Sequence, residues 1–232
     1  MFLLRFQNLL VCLYHSLVYM WLYLVLFIAV RTAVVLWQHR GRPYLSRPRG
    51  GSRKFKILVV LGSGGHTTEM LRLLKPVVRA KADRLDVVFV VAASDHTSVP
   101  RIASILGVEF RFQLATVPRL RNVGESVTTA LLRVPITLIS ALRVIWSSNP
   151  DVIITNGPGT CFPLIFASLI LEFLFIQARP VRIFVESFCR VTTISTTGKL
   201  AYRLVDSFIL QWKPSPELAA RYPRAKFLGV LI

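Results

Sequence analysis

Residues 57–61, Ile-Leu-Val-Val-Leu, form an unbroken aliphatic run that ends in Gly62-Ser-Gly-Gly-His66. Such a run has no polar face, which suits a strand buried on both sides of a parallel sheet. Beyond the glycines, Met70, Leu71, Leu73 and Leu74 fall at helical spacing, and Glu69 is expected in the first turn, where a negative charge suits the helix dipole. A strand, a glycine turn and a helix in that order leave several backbone N–H groups unpaired at one helix N-terminus. Those groups form an anion site, and glycines let a phosphate approach the backbone closely. The plainer reading is that any parallel α/β chain needs a tight turn here. Neither common nucleotide signature is present: Thr67 stands where G-x-G-x-x-G needs a small residue, and the Lys-Ser/Thr of the Walker pattern is missing.

Upstream, residues 9–30 carry no Asp, Glu, Lys or Arg. At about 1.5 Å per helical residue they reach roughly 33 Å, enough for a hydrocarbon core of about 30 Å. Cleaved signal peptides have apolar regions of about 7–15 residues followed by small residues. This run is longer and ends at Arg31 in a basic stretch, so a retained signal anchor is expected. Only Arg5 precedes it, whereas Arg31, Arg40, Arg42, Arg47, Arg49, Arg53, Lys54 and Lys56 follow with no acidic residue among them. That asymmetry puts the bulk of the chain in the cytosol. The formal net charge of +18 suits an anionic membrane surface, and no nucleic-acid-binding signature accompanies it. Cys12, Cys161 and Cys189 cannot all pair within one chain, and none has metal-ligand spacing with a nearby histidine. A reduced domain without a metal site is expected. The expected organisation is a short tail at 1–8, a transmembrane anchor at 9–30, a basic juxtamembrane linker at 31–54 and one domain at 55–232.

Within that domain, 85–93 reads as a second strand, and Ser94-Asp95 as the cap of a short helix ending near Leu106-Gly107. A third strand is expected at 109–115. A loop at 116–125 carries Arg119 and Arg121. The helix expected at 126–146, bent near Pro135, either covers the sheet or sets Arg133, Arg143 and its apolar surface against lipid headgroups. A strand at 150–156 and a helix at 162–176 follow. The latter is short for a span and contains Pro163 and Glu172, which suggests a buried or membrane-apposed helix. Strands at 181–186 and 207–212, a helix at 199–205 and a closing segment at 226–231 complete six or seven strands alternating with helices. The predicted fold is α/β, a doubly wound and mostly parallel Rossmann-like sheet.

Ligands in such a sheet bind beyond the carboxyl ends of the strands, where the turns at 62–66, 156–160 and 186–190 gather. Ser63, Gly64, Gly65 and Thr67 would supply anion donors from the first turn, faced by Asn156, Gly157, Gly159 and Thr160 from the second. Arg190 either neutralises the anion or is an ordinary surface charge. His66 stands where a helix N-terminus disfavours a positive imidazolium. It is therefore a neutral hydrogen-bond partner, a general base, or simply a residue that stabilises the turn. Glu186 either orients or deprotonates a sugar hydroxyl, or satisfies neighbouring backbone N–H groups.

With Leu61-Gly-Ser-Gly-Gly-His-Thr-Thr-Glu-Met70, Asn156-Gly-Pro-Gly-Thr-Cys-Phe-Pro163 and Val185-Glu-Ser-Phe-Cys-Arg-Val191 in that order, the chain resembles a known family. It is similar, over about residues 55–232, to the membrane-anchoring subunit of the split UDP-N-acetylglucosamine transferase of the dolichol-linked oligosaccharide pathway. It also resembles the amino-terminal half of the bacterial lipid II glycosyltransferase. The resemblance implies half of a GT-B enzyme, tethered on the cytosolic face of the endoplasmic reticulum or the contiguous nuclear envelope. Such a subunit binds the dolichyl-diphosphate-linked N-acetylglucosamine acceptor and recruits a soluble UDP-N-acetylglucosamine-binding catalytic subunit. The pair then adds a second N-acetylglucosamine with inversion and no covalent intermediate, and neither a cofactor nor activity of the chain alone is implied. The family's glycine-turn histidine maps to His66, and its acidic residue after the fifth strand to Glu186. The partner is expected near Phe227, Leu228, Gly229, Val230, Leu231 and Ile232, and the mannosyltransferase acting next in the pathway is a further candidate neighbour. Two other readings remain. One is a scaffold with no catalytic group of its own. The other is an anchored dinucleotide-dependent reductase, against which stand Thr67 in the fingerprint and the absence of a Tyr-x-x-x-Lys pair.

Overall fold

The computed structural model describes residues 2–39, 54–120, 127–157 and 159–230. The chain divides into two compact units, Met1–Arg47 and Pro48–Ile232. The first contains one long helix, α1 (Phe2–His39), which takes in the expected tail as well as the anchor. Its segment Val11–Val34 is long and apolar enough to cross a membrane. Tyr14, Trp21, Tyr23 and Leu26 along it are more than half exposed, as a helix meant for lipid requires. Residues 40–53 of the basic linker lie outside the described residues.

In the second unit strands and helices alternate. They are β1 (Phe55–Val60), α2 (Gly65–Lys81), β2 (Leu85–Ala92), α3 (Ser98–Leu106), β3 (Gln113–Val117), α4 (Val127–Ser148), β4 (Val152–Thr155), α5 (Cys161–Phe173), β5 (Val181–Val185), α6 (Thr196–Ala201), β6 (Ser207–Leu210), α7 (Pro216–Arg221) and β7 (Ala225–Phe227). The seven strands form one sheet in the order β3-β2-β1-β4-β5-β6-β7, and every pairing is parallel. Successive residues of β1 serve opposite faces. Ile57, Val59 and Leu61 pack with Met70, Leu71, Leu74 and Val78 of α2 and Ile102 of α3. Leu58 and Val60 pack with Ala141 and Ile145 of α4 and Leu164, Ala167 and Leu171 of α5. Helices therefore cover both faces, which is why β1 reads as a continuous aliphatic run rather than an alternating one.

The helix with Pro163 and Glu172 belongs to the domain core: Pro163, Leu164, Ile165, Ala167, Ser168, Leu171 and Glu172 are all buried. Glu172 is there for Arg182, a fully buried arginine on β5. The Arg182 guanidinium donates to Glu172 Oε2 at 2.6 Å and to Ser168 Oγ at 2.6 Å. Burial pulls the Arg182 pKa down from its ordinary value, and the neighbouring charges of Glu172 and Asp206 oppose that pull. Arg179, beside the same two carboxylates, extends the network.

The element boundaries differ from expectation in places with a visible cause. β3 begins at Gln113 rather than at 109, because Gly107, at φ 103, ends α3 and the chain first pairs with β2 where Gln113 meets Val88. α6 starts at Thr196 rather than 199, because Ser195 Oγ accepts from Gly198 N and caps it. α7 was not anticipated, although Ser215 caps it, Pro216 opens it and Glu217 follows, a standard helix start. β6 ends at Leu210, which leaves Trp212 free to donate its Nε1–H to the Phe188 carbonyl at 2.6 Å. Arg121 lies outside the described residues.

Removing one member of the buried pair takes a partner from the other. Glu172→Ala should destabilise the domain by about 3–5 kcal/mol, read as a fall in Tm by thermal denaturation, because the buried Arg182 guanidinium then loses the carboxylate it hydrogen-bonds. Glu217→Ala on exposed α7 is the control, and equal Tm values for the two variants would show that the buried pair carries no such weight.

Candidate active site

The strand order reverses at the β1/β4 neighbours: β1 leads into α2 on one face of the sheet, and β4 into α5 on the other. A crevice opens at the carboxyl ends of such strands because the two chains leave in opposite directions. Gly64 sits at φ 69, a left-handed conformation that glycine adopts without steric cost, and turns the chain into α2. No side chain caps α2, so its first-turn N–H groups stay open. Gly65 is different. Its φ is ordinary for any residue, and a Cβ built on it would meet nothing within 4 Å. The same holds for Gly159 before α5, whose N-cap Thr160 makes no side-chain capping bond. Neither backbone nor packing requires these two glycines, and both leave clear space above a helix N-terminus.

His66 leans on the second turn. A Cβ at Gly157 would stand 3.0 Å from His66 Cε1, and Gly157 has φ 62, so glycine is needed there on both counts. The His66 Nδ1 is buried and lies 3.6 Å from Glu69 Oε2, while the side chain as a whole is 37% exposed. One edge of the imidazole is thus turned toward a carboxylate, and the ring lies against Gly157 while keeping partial access to solvent.

Glu69 is the residue the sequence did not assign to the site. α2 begins at Gly65, so Glu69 stands past the first turn and acts sideways rather than on the helix dipole. Its Oε1 accepts from Ser187 Oγ at 3.1 Å, and its Oε2 from Asn156 Nδ2 at 3.4 Å. Asn156 Nδ2 also donates to the His66 carbonyl at 2.9 Å. Burial raises the Glu69 pKa, but His66, Ser187 and the Phe188 N–H together outweigh it and hold the carboxyl below the ordinary value. With a depressed folded-state pKa, its contribution to stability is present at neutral pH and is lost as the pH falls through that lowered value. The available signal was the His66-x-x-Glu69 spacing, which places both side chains on one helix face.

A cleft of about 390 Å³ results. It is lined by Gly65, His66, Glu69, Gly157, Ser187, Cys189, Arg190 and Ser195. All three turns singled out in the sequence contribute to it. Arg190 is exposed on the wall, with Nη1 3.4 Å from Thr193 Oγ1. Ser63 is exposed on the glycine turn. Thr67 is not available as a side-chain donor: it is fully buried, and its hydroxyl bonds to the Gly62 carbonyl and lies 2.6 Å from Ser98 Oγ. Glu186 is likewise turned inward and only 1% exposed. It accepts from Ser187 N at 3.1 Å, Ser195 N at 2.9 Å and Ser195 Oγ at 3.1 Å, and a Cβ at Gly198 would come within 2.5 Å of Oε2. Of the two roles read from the sequence, the geometry supplies the one in which Glu186 satisfies backbone N–H groups and fixes the wall that carries Arg190.

Away from the cleft, Phe227 ends the edge strand β7. Phe227, Leu228 and Val230 are 41%, 61% and 51% exposed, and Gly229 has φ 92. Leu231 and Ile232 lie outside the described residues. No group of three or more His, Cys, Asp or Glu side chains gathers as metal ligands among the described residues.

Comparison with known proteins agrees with this architecture. Residues 57–231 match the family described as "Oligosaccharide biosynthesis protein Alg14 like". The mouse "UDP-N-acetylglucosamine transferase subunit ALG14" is 33% identical over 207 residues, covering 85% of this chain and 90% of that protein. The Schizosaccharomyces pombe protein of the same description is 38% identical over 182 residues, covering 75% and 82%. Among solved structures, Acinetobacter baumannii MurG superposes with a TM-score of 0.52 at 12% identity, which speaks for the fold alone. The match covers 76% of this chain and 45% of MurG, so the described domain is similar to one half of that GT-B enzyme. The fold, the three motif-bearing turns and the relatives agree: this chain belongs to the Alg14-like family of oligosaccharide-biosynthesis proteins.

Proposed function

We propose that the chain is the membrane-anchored, acceptor-binding half of an inverting UDP-N-acetylglucosamine transferase that extends dolichyl-diphosphate-linked N-acetylglucosamine. The observation that carries this reading is the cleft itself: one carboxylate, Glu69, gathers His66, Asn156 and Ser187 beside the bare N-terminus of α2. An acceptor of this kind presents a diphosphate at the bilayer surface and a sugar hydroxyl just beyond it. The N–H groups at Ser63 to His66, together with Arg190, suit the diphosphate, and His66 stands within the cleft to take the hydroxyl proton. The acceptor oxygen forms a bond to the anomeric carbon of the donor sugar as the bond from that carbon to UDP breaks. The proton passes to the imidazole, and UDP leaves with the bonding pair. Glu69 orients the ring from its buried edge and stabilises the imidazolium as it forms.

The donor half comes from a second polypeptide. The names borne by the relatives support this, since each is called a subunit. The exposed apolar end of β7, from Phe227 to Val230, is the proposed docking edge, and the remainder of the carboxyl terminus belongs to the same proposal. On this reading the anchored domain faces the cytosol at the endoplasmic reticulum. The charge asymmetry around α1 supports that orientation.

His66→Ala should lower kcat by about 10²–10⁴-fold with acceptor and donor KM changed little, measured in membranes containing both subunits. Glu69→Gln, which retains the shape but not the charge, should lower kcat by about tenfold. Unchanged turnover in both variants, with partner binding intact, would favour the scaffold reading instead. In sealed microsomes, added protease should digest residues 54–232 without detergent; protection of that domain until detergent is added would reverse the assigned orientation.

A further inference from the structure

The glycine turn is held from behind by α3. Arg101 Nη1 donates to the Gly64 carbonyl at 2.5 Å, and Thr67 donates to the Gly62 carbonyl. Ser98 Oγ supports Thr67 at 2.6 Å and lies 3.3 Å from the Gly62 carbonyl. Asp95 anchors the arrangement: its Oδ2 accepts from Ser98 Oγ at 2.6 Å, and its Oδ1 from Thr97 N, Thr97 Oγ1 and Ser98 N. Asp95, Thr67 and Ser98 are 7%, 0% and 0% exposed.

Capping of α3 accounts for only part of this. Asp95 Oδ1 serves the backbone N–H groups at the start of α3 and Oδ2 takes the Ser98 hydroxyl, whereas Ser98 Oγ against Thr67 and Arg101 Nη1 on the Gly64 carbonyl reach a different element, the glycine turn. Burial raises the Asp95 pKa, yet the bonds from Ser98 and Thr97 outweigh it and keep the carboxyl below its ordinary value, so the anchor is ionised at neutral pH. The consequence lies in peptide geometry. In a trans peptide the carbonyl and the following N–H point in opposite directions. Holding the Gly62 and Gly64 carbonyls toward α3 turns the N–H groups of Ser63 and Gly65 away from it, and Gly65 lines the cleft.

We infer that Asp95, Ser98 and Arg101 are positioning residues that aim the Ser63 and Gly65 N–H groups at the acceptor's diphosphate and so set acceptor affinity rather than the rate of transfer. The inference rests on the reading above that the diphosphate binds at this turn. A donor group aimed before the ligand arrives costs no reorganisation on binding, which is what the clamp supplies.

The test uses the full chain with its partner in membranes and dolichyl-diphosphate-N-acetylglucosamine as the varied substrate. Arg101→Met and Ser98→Ala should each raise acceptor KM about tenfold, with kcat and the UDP-N-acetylglucosamine KM within about twofold of the parent. Arg101→Lys should recover most of the loss. Val78→Ala, which loosens α2 in the core, should leave acceptor KM in place, separating aim from stability. Gly65→Val probes the site itself, because a Cβ on Gly65 meets nothing of the fold within 4 Å and the added side chain takes the space proposed for the diphosphate. If Gly65→Val raises acceptor KM while Arg101→Met and Ser98→Ala leave it unchanged, the clamp has no aiming role and the diphosphate site stands. If Gly65→Val also leaves it unchanged, the site and the clamp fall together.

Discussion

The Glu69 carboxylate makes contact with all three turns at the carboxyl end of the sheet: with His66 on its own helix, with Asn156 after β4 and with Ser187 after β5. A half-buried carboxylate is costly unless donors surround it. Here the donors come from separate segments, so satisfying the charge also fixes the distances between those segments. The lowered pKa of Glu69 expresses the same fact: the bonds that assemble the cleft outweigh the burial that opposes them. His66 gains its buried Nδ1 environment from this arrangement, and Gly157 gains its requirement for glycine from the imidazole packed against it.

Two layers support that cleft. On the α3 side, Arg101 holds the Gly64 carbonyl, and Asp95 and Ser98 back Thr67, which holds that of Gly62. On the far side, Glu186 holds the wall by accepting from Ser187 and Ser195, and Trp212 holds it by donating to Phe188. Beneath them apolar clusters cover both faces of the sheet, and the fully buried Arg182 is paired with Glu172 of α5. Two polar clusters thus serve different ends: the one around Arg182 lies in the scaffold, and the one around Glu69 shapes its upper edge. A helix long and apolar enough to cross a membrane precedes this domain in the chain.

Much of this was legible in the sequence because it is local. The aliphatic run of β1, the glycine turn, the apolar spacing of α2 and the uncharged stretch of α1 each announce themselves within a few residues. The three turns could be grouped because a parallel sheet puts all its carboxyl ends on one edge. What the sequence hid is long-range. The partners of Glu69 lie 87 and 118 residues away, and no single-sequence pattern records such pairs. The inward turn of Glu186 and Thr67 was hidden for the complementary reason: both stand in functional-looking motifs, and their side chains bond to backbone groups, Glu186 on the 187–195 segment and Thr67 at Gly62. The helix α7 was legible and missed, since Ser215-Pro216-Glu217 carries its start signal.

The central claim is that this chain alone carries the site for the lipid-linked acceptor and lacks the site for the activated sugar. Equilibrium binding to the full-length chain in lipid nanodiscs, without any partner, tests it directly with two ligands: a prenyl-diphosphate-N-acetylglucosamine and UDP-N-acetylglucosamine. The account predicts saturable binding of the first, weakened by Gly65→Val, and no saturable binding of the second. Tight binding of UDP-N-acetylglucosamine with none of the lipid would contradict it.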